Sequence, residues 1–294
     1  MSAEAQTERT SLTKENFAWA LWRRQIATVV RLEIKKNFLG KRAWLIYLFA
    51  LIPPAMLGFV ALIITFVDVP DADSNWRNVA EASRVFAYIF EILILRTIIF
   101  FGCAWIFMNS FRGEVIDRSL HYYFLAPVRR EVLVVAKFIA GVAASIVFFS
   151  ITTALSMFLM YVTRDGGQVA DYFTRGAGLS HAATYMGIAW LACAGYGALF
   201  IVIGLVFRNP VLPALTIYGW EFINFLLPPV LKRTSVIYYL QSLTPIKMSE
   251  GPFAFIAEPS PAFVAVGGLL IFVVVMLIVA AWRIRRMEIS YGNE

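Results

Sequence analysis

Six apolar stretches, each at or near the ~20 residues that an α-helix needs to cross hydrocarbon, constrain this chain more than any other feature. They run roughly over Trp44–Val67, Val85–Asn109, Val132–Val162, His181–Phe207, Val211–Pro228 and Pro261–Trp282. Apolar and polar residues do not alternate along them, as the strands of a membrane barrel require. Backbone polar groups cannot be left unpaired in lipid, so helices are the economical way to cross. Composition agrees, with 60% of residues hydrophobic and only 15% charged. The expected fold is therefore all-α integral membrane, with a six-span domain over residues 44–282. A basic segment, 1–43, precedes it and a short tail, 283–294, follows.

Lys and Arg set the expected orientation, because positive residues stay on the cytoplasmic side. Seventeen of them flank one face, from the first 43 residues, the connector after the second span, Arg208 and the tail; seven flank the other. Both termini are thus expected in the cytoplasm. The same placement accounts for the net charge of +7 without nucleic acid as a partner. No zinc spacing, RNA-binding aromatic signature or basic zipper is present. Cys103 and Cys193 fall inside apolar spans and read as small buried hydrophobes. Residues 1–42 lack an apolar core before a small-residue cleavage site, so the first span is expected to do the targeting.

Local features refine the spans. Pro53-Pro54 predicts a kink in the first. A run of small residues in the fourth, Ala182 to Ala198, predicts close helix approach. Between Glu15 and Lys41, Trp22, Ile26, Val29 and Ile34 alternate with Arg23, Arg24, Arg31, Lys35 and Lys36, which predicts a basic amphipathic helix in the lipid interface. The outer segment 230–260 holds Val236–Leu240 and Phe253–Ile256, runs too short to span, which predicts re-entrant or interfacial helices.

Catalytic signatures are lacking. Gly40-Lys41 has no glycine five residues before it, so no phosphate-binding loop is formed. There is no G-x-S-x-G turn and no zinc-protease motif. Four charges do fall within spans. Lys137 lies near the inner edge and reads as an ordinary snorkelling residue. Glu91, Arg96 and Glu221 are deeper, where charge is costly and is paired or faces a wet cavity. The depths of Arg96 and Glu221 predict a pair across helices, for structure or for substrate or proton contact. Glu91 lies about 140° around an α-helix from Arg96 and is expected to face elsewhere.

The connector 110–131 carries seven charged residues from Arg112 to Glu131 and the aromatic run Tyr122-Tyr123-Phe124. Phe111 to Lys137 resembles the loop between the second and third spans of type-2 ABC exporter permeases. Glu114 matches that family's glutamate after the second span, Leu125-Ala126-Pro127-Val128-Arg129-Arg130 its proline-containing element, and Lys137 the lysine entering the third. His121-Tyr122-Tyr123 departs from the family's usual residues. The resemblance implies a permease subunit in the cell inner (plasma) membrane, paired with a second permease chain. It implies that a separate ABC ATP-binding subunit, carrying ATP and magnesium, docks against Glu114, Asp117, Arg118, Tyr122, Tyr123, Phe124, Pro127, Arg129 and Arg130. This chain would hold no cofactor and hydrolyse no ATP itself. Charge and aromatic area of this kind suit a protein partner. Membrane lipids are the other expected partner, and nucleic acid is not one. A secondary transporter or channel using the deep charges, and a non-transporting membrane subunit, stay open as readings.

Overall fold

The computed structural model describes residues 3–40, 43–66, 78–116, 129–248 and 259–286. Among the described residues every regular element is helical. Helix α1 covers Ala3–Leu39 and α2 Ala43–Phe66. Next comes one continuous rod made of α3 (Val79–Tyr88), a π-helical segment (Ile89–Ile99) and α4 (Phe100–Ile116). Then follow α5 (Arg130–Tyr161), the short α6 (Gly166–Thr174) and α7 (Gly178–Val206). Helix α8 (Val211–Phe222) runs into a 3-10 turn (Ile223–Leu226), then come α9 (Pro229–Lys232), α10 (Val236–Ser242) and α11 (Ala262–Arg285).

Five helices are long and apolar enough to cross a bilayer: Ala43–Phe66, Val79–Glu114, Arg130–Tyr161, Gly178–Val206 and Ala262–Arg285. The chain is a multi-pass membrane protein on that measure. The remaining predicted span, Val211–Pro228, differs. Its helical part ends at Leu226 and reaches about 24 Å at 1.5 Å per residue, short of a ~30 Å hydrocarbon core. Pro228 and Pro229 follow, and a proline supplies no N–H to continue the ladder. The chain instead turns into α9 and α10, and Val236, Ile237, Tyr238 and Leu240 of α10 are buried. Phe253–Ile256 lies outside the described residues.

Helix α7 is the hub, packed against α4, α5, α10 and α11. It buries 72% of its most apolar stretch, whereas α2 and α11 bury 17% each and present the rest outward. Glycines make the hub possible. A Cβ on Gly197 of α7, or on Gly141 of α5, would come within 2.5 Å of the Phe107 ring of α4. Phe107 is thus seated between two glycines. In the reverse direction Gly102 of α4 accommodates Phe149 of α5, and Gly204 lies against the Met108 backbone. Small residues do here what lipid-embedded interfaces need: they let backbones approach. Cys103 and Cys193 are free and buried in this interior.

Helices α1 and α2 line α5 one after the other. Arg129 at the start of α5 sits over the Trp22 ring, Phe38 stacks on Phe148 with centroids 4.6 Å apart, and α2 continues from there. Part of the apolar side of α1 packs on the protein, while Leu21, Leu32 and Leu39 are exposed. Ile26, Val29, Val30 and Phe38 join the protein core, while Arg24, Arg31 and Lys35 stay exposed. Pro53 and Pro54 lie inside a helix that runs on through them. Pro54 has no N–H for the Ala50 carbonyl four residues back. The Thr152 hydroxyl of α5 donates to that carbonyl at 3.0 Å, which is how a neighbouring helix repairs a proline gap in lipid.

Candidate functional site

Two clusters of buried charge connect the elements, one at each level of the bundle. The first gathers at the basic end. Helix α5 opens with Arg129 in extended backbone and turns Lys137 inward two turns later. Lys137 is 1% exposed. Its Nζ donates to Glu114 Oε1 at 2.8 Å, to Glu33 Oε1 at 2.5 Å and to the Ser110 carbonyl at 3.0 Å. Lys36 of α1 donates to the same Glu114 oxygen at 3.0 Å. Lys137 therefore does not snorkel. It has no path to water, because α1 covers it with a carboxylate. Glu33 had a local sign in the sequence: it continues the inward stripe Trp22, Ile26, Val29 at helical spacing, where an apolar residue belongs.

Glu114 is buried as well, with its carboxylate aimed at two lysines rather than outward. Arg129 lies over Trp22 with its guanidinium carbon 4.7 Å from the ring centroid. Arg130 Nη1 donates to the Ile284 and Arg285 carbonyls at the end of α11, at 3.3 and 3.2 Å. Arg285 returns an ion pair to Glu131. Cations satisfying terminal carbonyls complement the negative end of that helix. Asp117, Arg118, Tyr122, Tyr123, Phe124 and Pro127 lie outside the described residues.

The second cluster lies deep between the apolar helices. Arg96 and Glu221 are neighbours, but the guanidinium bonds the main chain there and not the carboxylate. Arg96 Nη1 donates to the main-chain carbonyls of Glu221 at 3.0 Å and Phe222 at 3.4 Å, where α8 gives way to the 3-10 turn. Its Nη2 donates instead to Glu91 Oε1 at 3.5 Å, so the pair formed is Glu91–Arg96. The reason is helix type. An α-helix separates residues five apart by about 140°. In a π-helix residues five apart are joined by the backbone hydrogen bond and share a face. Glu91 also accepts from the Gln241 amide of α10.

The Glu221 carboxylate serves α10. It accepts from the Val236 and Ile237 amides, both at 2.9 Å, from the Ser235 hydroxyl at 2.8 Å and from Tyr196 of α7 at 3.4 Å. The first amides of a helix have no partner within it. Ser235 precedes α10 without bonding it, so a side chain from α8 takes that place. Lys232, expected in an outer connector, is fully buried nearby, and its carbonyl accepts from Asn224 at 3.3 Å. Nothing local in the sequence marks Gln241, Ser235 or Lys232 for this network; they are placed by the fold-back after Pro228.

Chemically, the first cluster welds four helix ends together, and the second ties a broken helix and a short buried one to the second span. Compared with known proteins, the chain matches no family model and no curated protein.

Proposed function

We propose that this chain is the membrane permease subunit of an ATP-binding cassette exporter in the inner (plasma) membrane. It works as a dimer with a second permease chain, and a separate cassette ATPase binds the connector 110–131 from the cytoplasm. One observation carries this reading: the Glu33–Lys137–Glu114–Lys36 cluster. Glu114 and Lys137 are two of the charged residues that carry the connector's resemblance, and they bond to each other. Their helices flank the connector, and α1 is bonded to both. A push on the connector therefore reaches α1, α4 and α5 as one body. Through Arg130, Glu131 and Arg285 it also reaches α11. A loose loop would dissipate such a push.

The test is co-purification from the native membrane. A nucleotide-hydrolysing subunit should accompany the chain and should be lost on Asp117→Lys with Arg118→Glu. An intact complex without ATPase activity ends this reading. A carrier with no ATPase is the second reading. It is favoured by the Glu91, Arg96 and Glu221 network, since charges inside membrane helices mark transport paths. Transport by the chain alone in liposomes without nucleotide supports it.

A further inference from the structure

The π-helical segment Ile89–Ile99 occupies eleven consecutive residues in the middle of the second span. π geometry is rare, is mostly confined to single turns, and recurs at functional sites. Here side chains join the backbone in holding it. Arg96 reaches Glu91, five residues back, and Thr97 Oγ1 donates to the Ile92 carbonyl, also five back, at 3.1 Å. In an α-helix Glu91 and Arg96 would part, and a threonine hydroxyl would turn to a carbonyl three or four residues back. The segment has no proline or glycine, so none of its residues bars the α register.

The two side chains that define the register also leave the helix. Arg96 grips the carbonyls at the end of α8, and Glu91 receives Gln241 of α10. The same rod ends at Glu114, inside the cluster with Lys137. We propose that residues 89–99 form a register switch between the fold-back segment 221–242 and the connector end of the second span. In the π register Glu91 and Arg96 hold α8 and α10. In the α register they separate and release both. The rod then lengthens, because the wider π turn rises less per residue than the 1.5 Å of an α-helix. Glu114 and α3 move apart along the axis. The switch works with any energy source that loads either end, so it stands independently of the ATPase reading.

The experiment measures the length of the rod. Nitroxide labels are placed at Arg84→Cys and Arg112→Cys in the full chain in lipid nanodiscs; native Cys103 and Cys193 are fully buried and take no label. Over 28 residues an uninterrupted α-helix spans about 42 Å. The parent protein should show a main distance below that value. Thr97→Val and Glu91→Gln should each add a population near the longer distance, Glu91→Gln the larger one. One unchanged distribution in the parent and both variants overturns the switch. So does a single long distance in the parent. A looser α10 with unchanged rod length also overturns it, since that leaves Glu91 a structural tie only. Should Glu91→Gln fail to fold, Thr97→Val, which removes the bond to the Ile92 carbonyl and a 3.5 Å contact with the Tyr218 hydroxyl, decides alone.

Discussion

Lys137 shows how differently one residue reads in sequence and in the fold. A lysine near the end of a span normally reaches water along its own stem. This one is covered by α1 and meets two carboxylates. Removing one partner from a buried ionic cluster costs about 3–5 kcal/mol, because the others stay buried without compensation. Lys137→Met should destabilise the chain by that order, seen as a lower Tm in detergent. Replacing Glu33 and Glu114 by glutamine as well should recover much of the loss, since no carboxylate is then buried without a cation and Lys36, 40% exposed, keeps its charge at the surface. An unchanged Tm for Lys137→Met alone contradicts the cluster. Glu221 has a different task, holding the first amides of α10. Glu221→Gln keeps one acceptor oxygen and loses the charge. Hydrogen exchange at the Val236 and Ile237 amides should speed up, with α7 amides unaffected; equal rates in the two proteins argue against the cap.

Helix contacts depend on glycine in a position-specific way. Gly204→Ala would press a methyl to 3.0 Å from the Met108 backbone, which cannot rotate aside. Gly197→Ala would meet the Phe107 ring, itself hemmed in by Gly141. Each should cost about 1–3 kcal/mol through overpacking. Gly187→Ala, on the same helix with nothing within 4 Å, should be neutral or slightly stabilising. Thermal unfolding of the three variants checks the order. The small-residue run in α7 was legible as a packing face from its composition. Which glycine takes which knob was not, because that depends on the axial offset between α4, α5 and α7. Val236–Leu240 was likewise legible as non-spanning from the shortness of its apolar run. The early end of α8 was not, since Val211–Pro228 is mostly apolar and only the turn at Pro228 shows that it stops.

At the scale of the whole molecule, docking and folding are separable. On the permease reading, Asp117→Lys with Arg118→Glu should abolish ATPase recovery and leave the Tm of the chain unchanged. Lys137→Met should lower both, because it loosens the body on which the connector is mounted. If the connector charges change Tm as Lys137 does, they belong to the fold and not to a docking face. α1 belongs to the same scale. Its sequence shows an amphipathic helix but not what covers the apolar side. Part of that side packs on α5, with Phe38 on Phe148 and Glu33 on Lys137, while Leu21, Leu32 and Leu39 are exposed.

Apolar run length alone determined that this is a helical, multi-pass membrane protein, because the length of chain needed to cross hydrocarbon is a local property. Tertiary structure alone decided where the charges go. Glu33 and Lys137 are 104 residues apart, and Gln241 and Glu91 are 150 apart. No local pattern encodes such meetings. The Glu91–Arg96 pair is five residues apart and still escaped the sequence, because the angle between two side chains is set by hydrogen-bond register. Packing against α7, α2 and α5, with Arg96 bonded to the end of α8, accompanies the π form here, and an isolated reading assumes the α form.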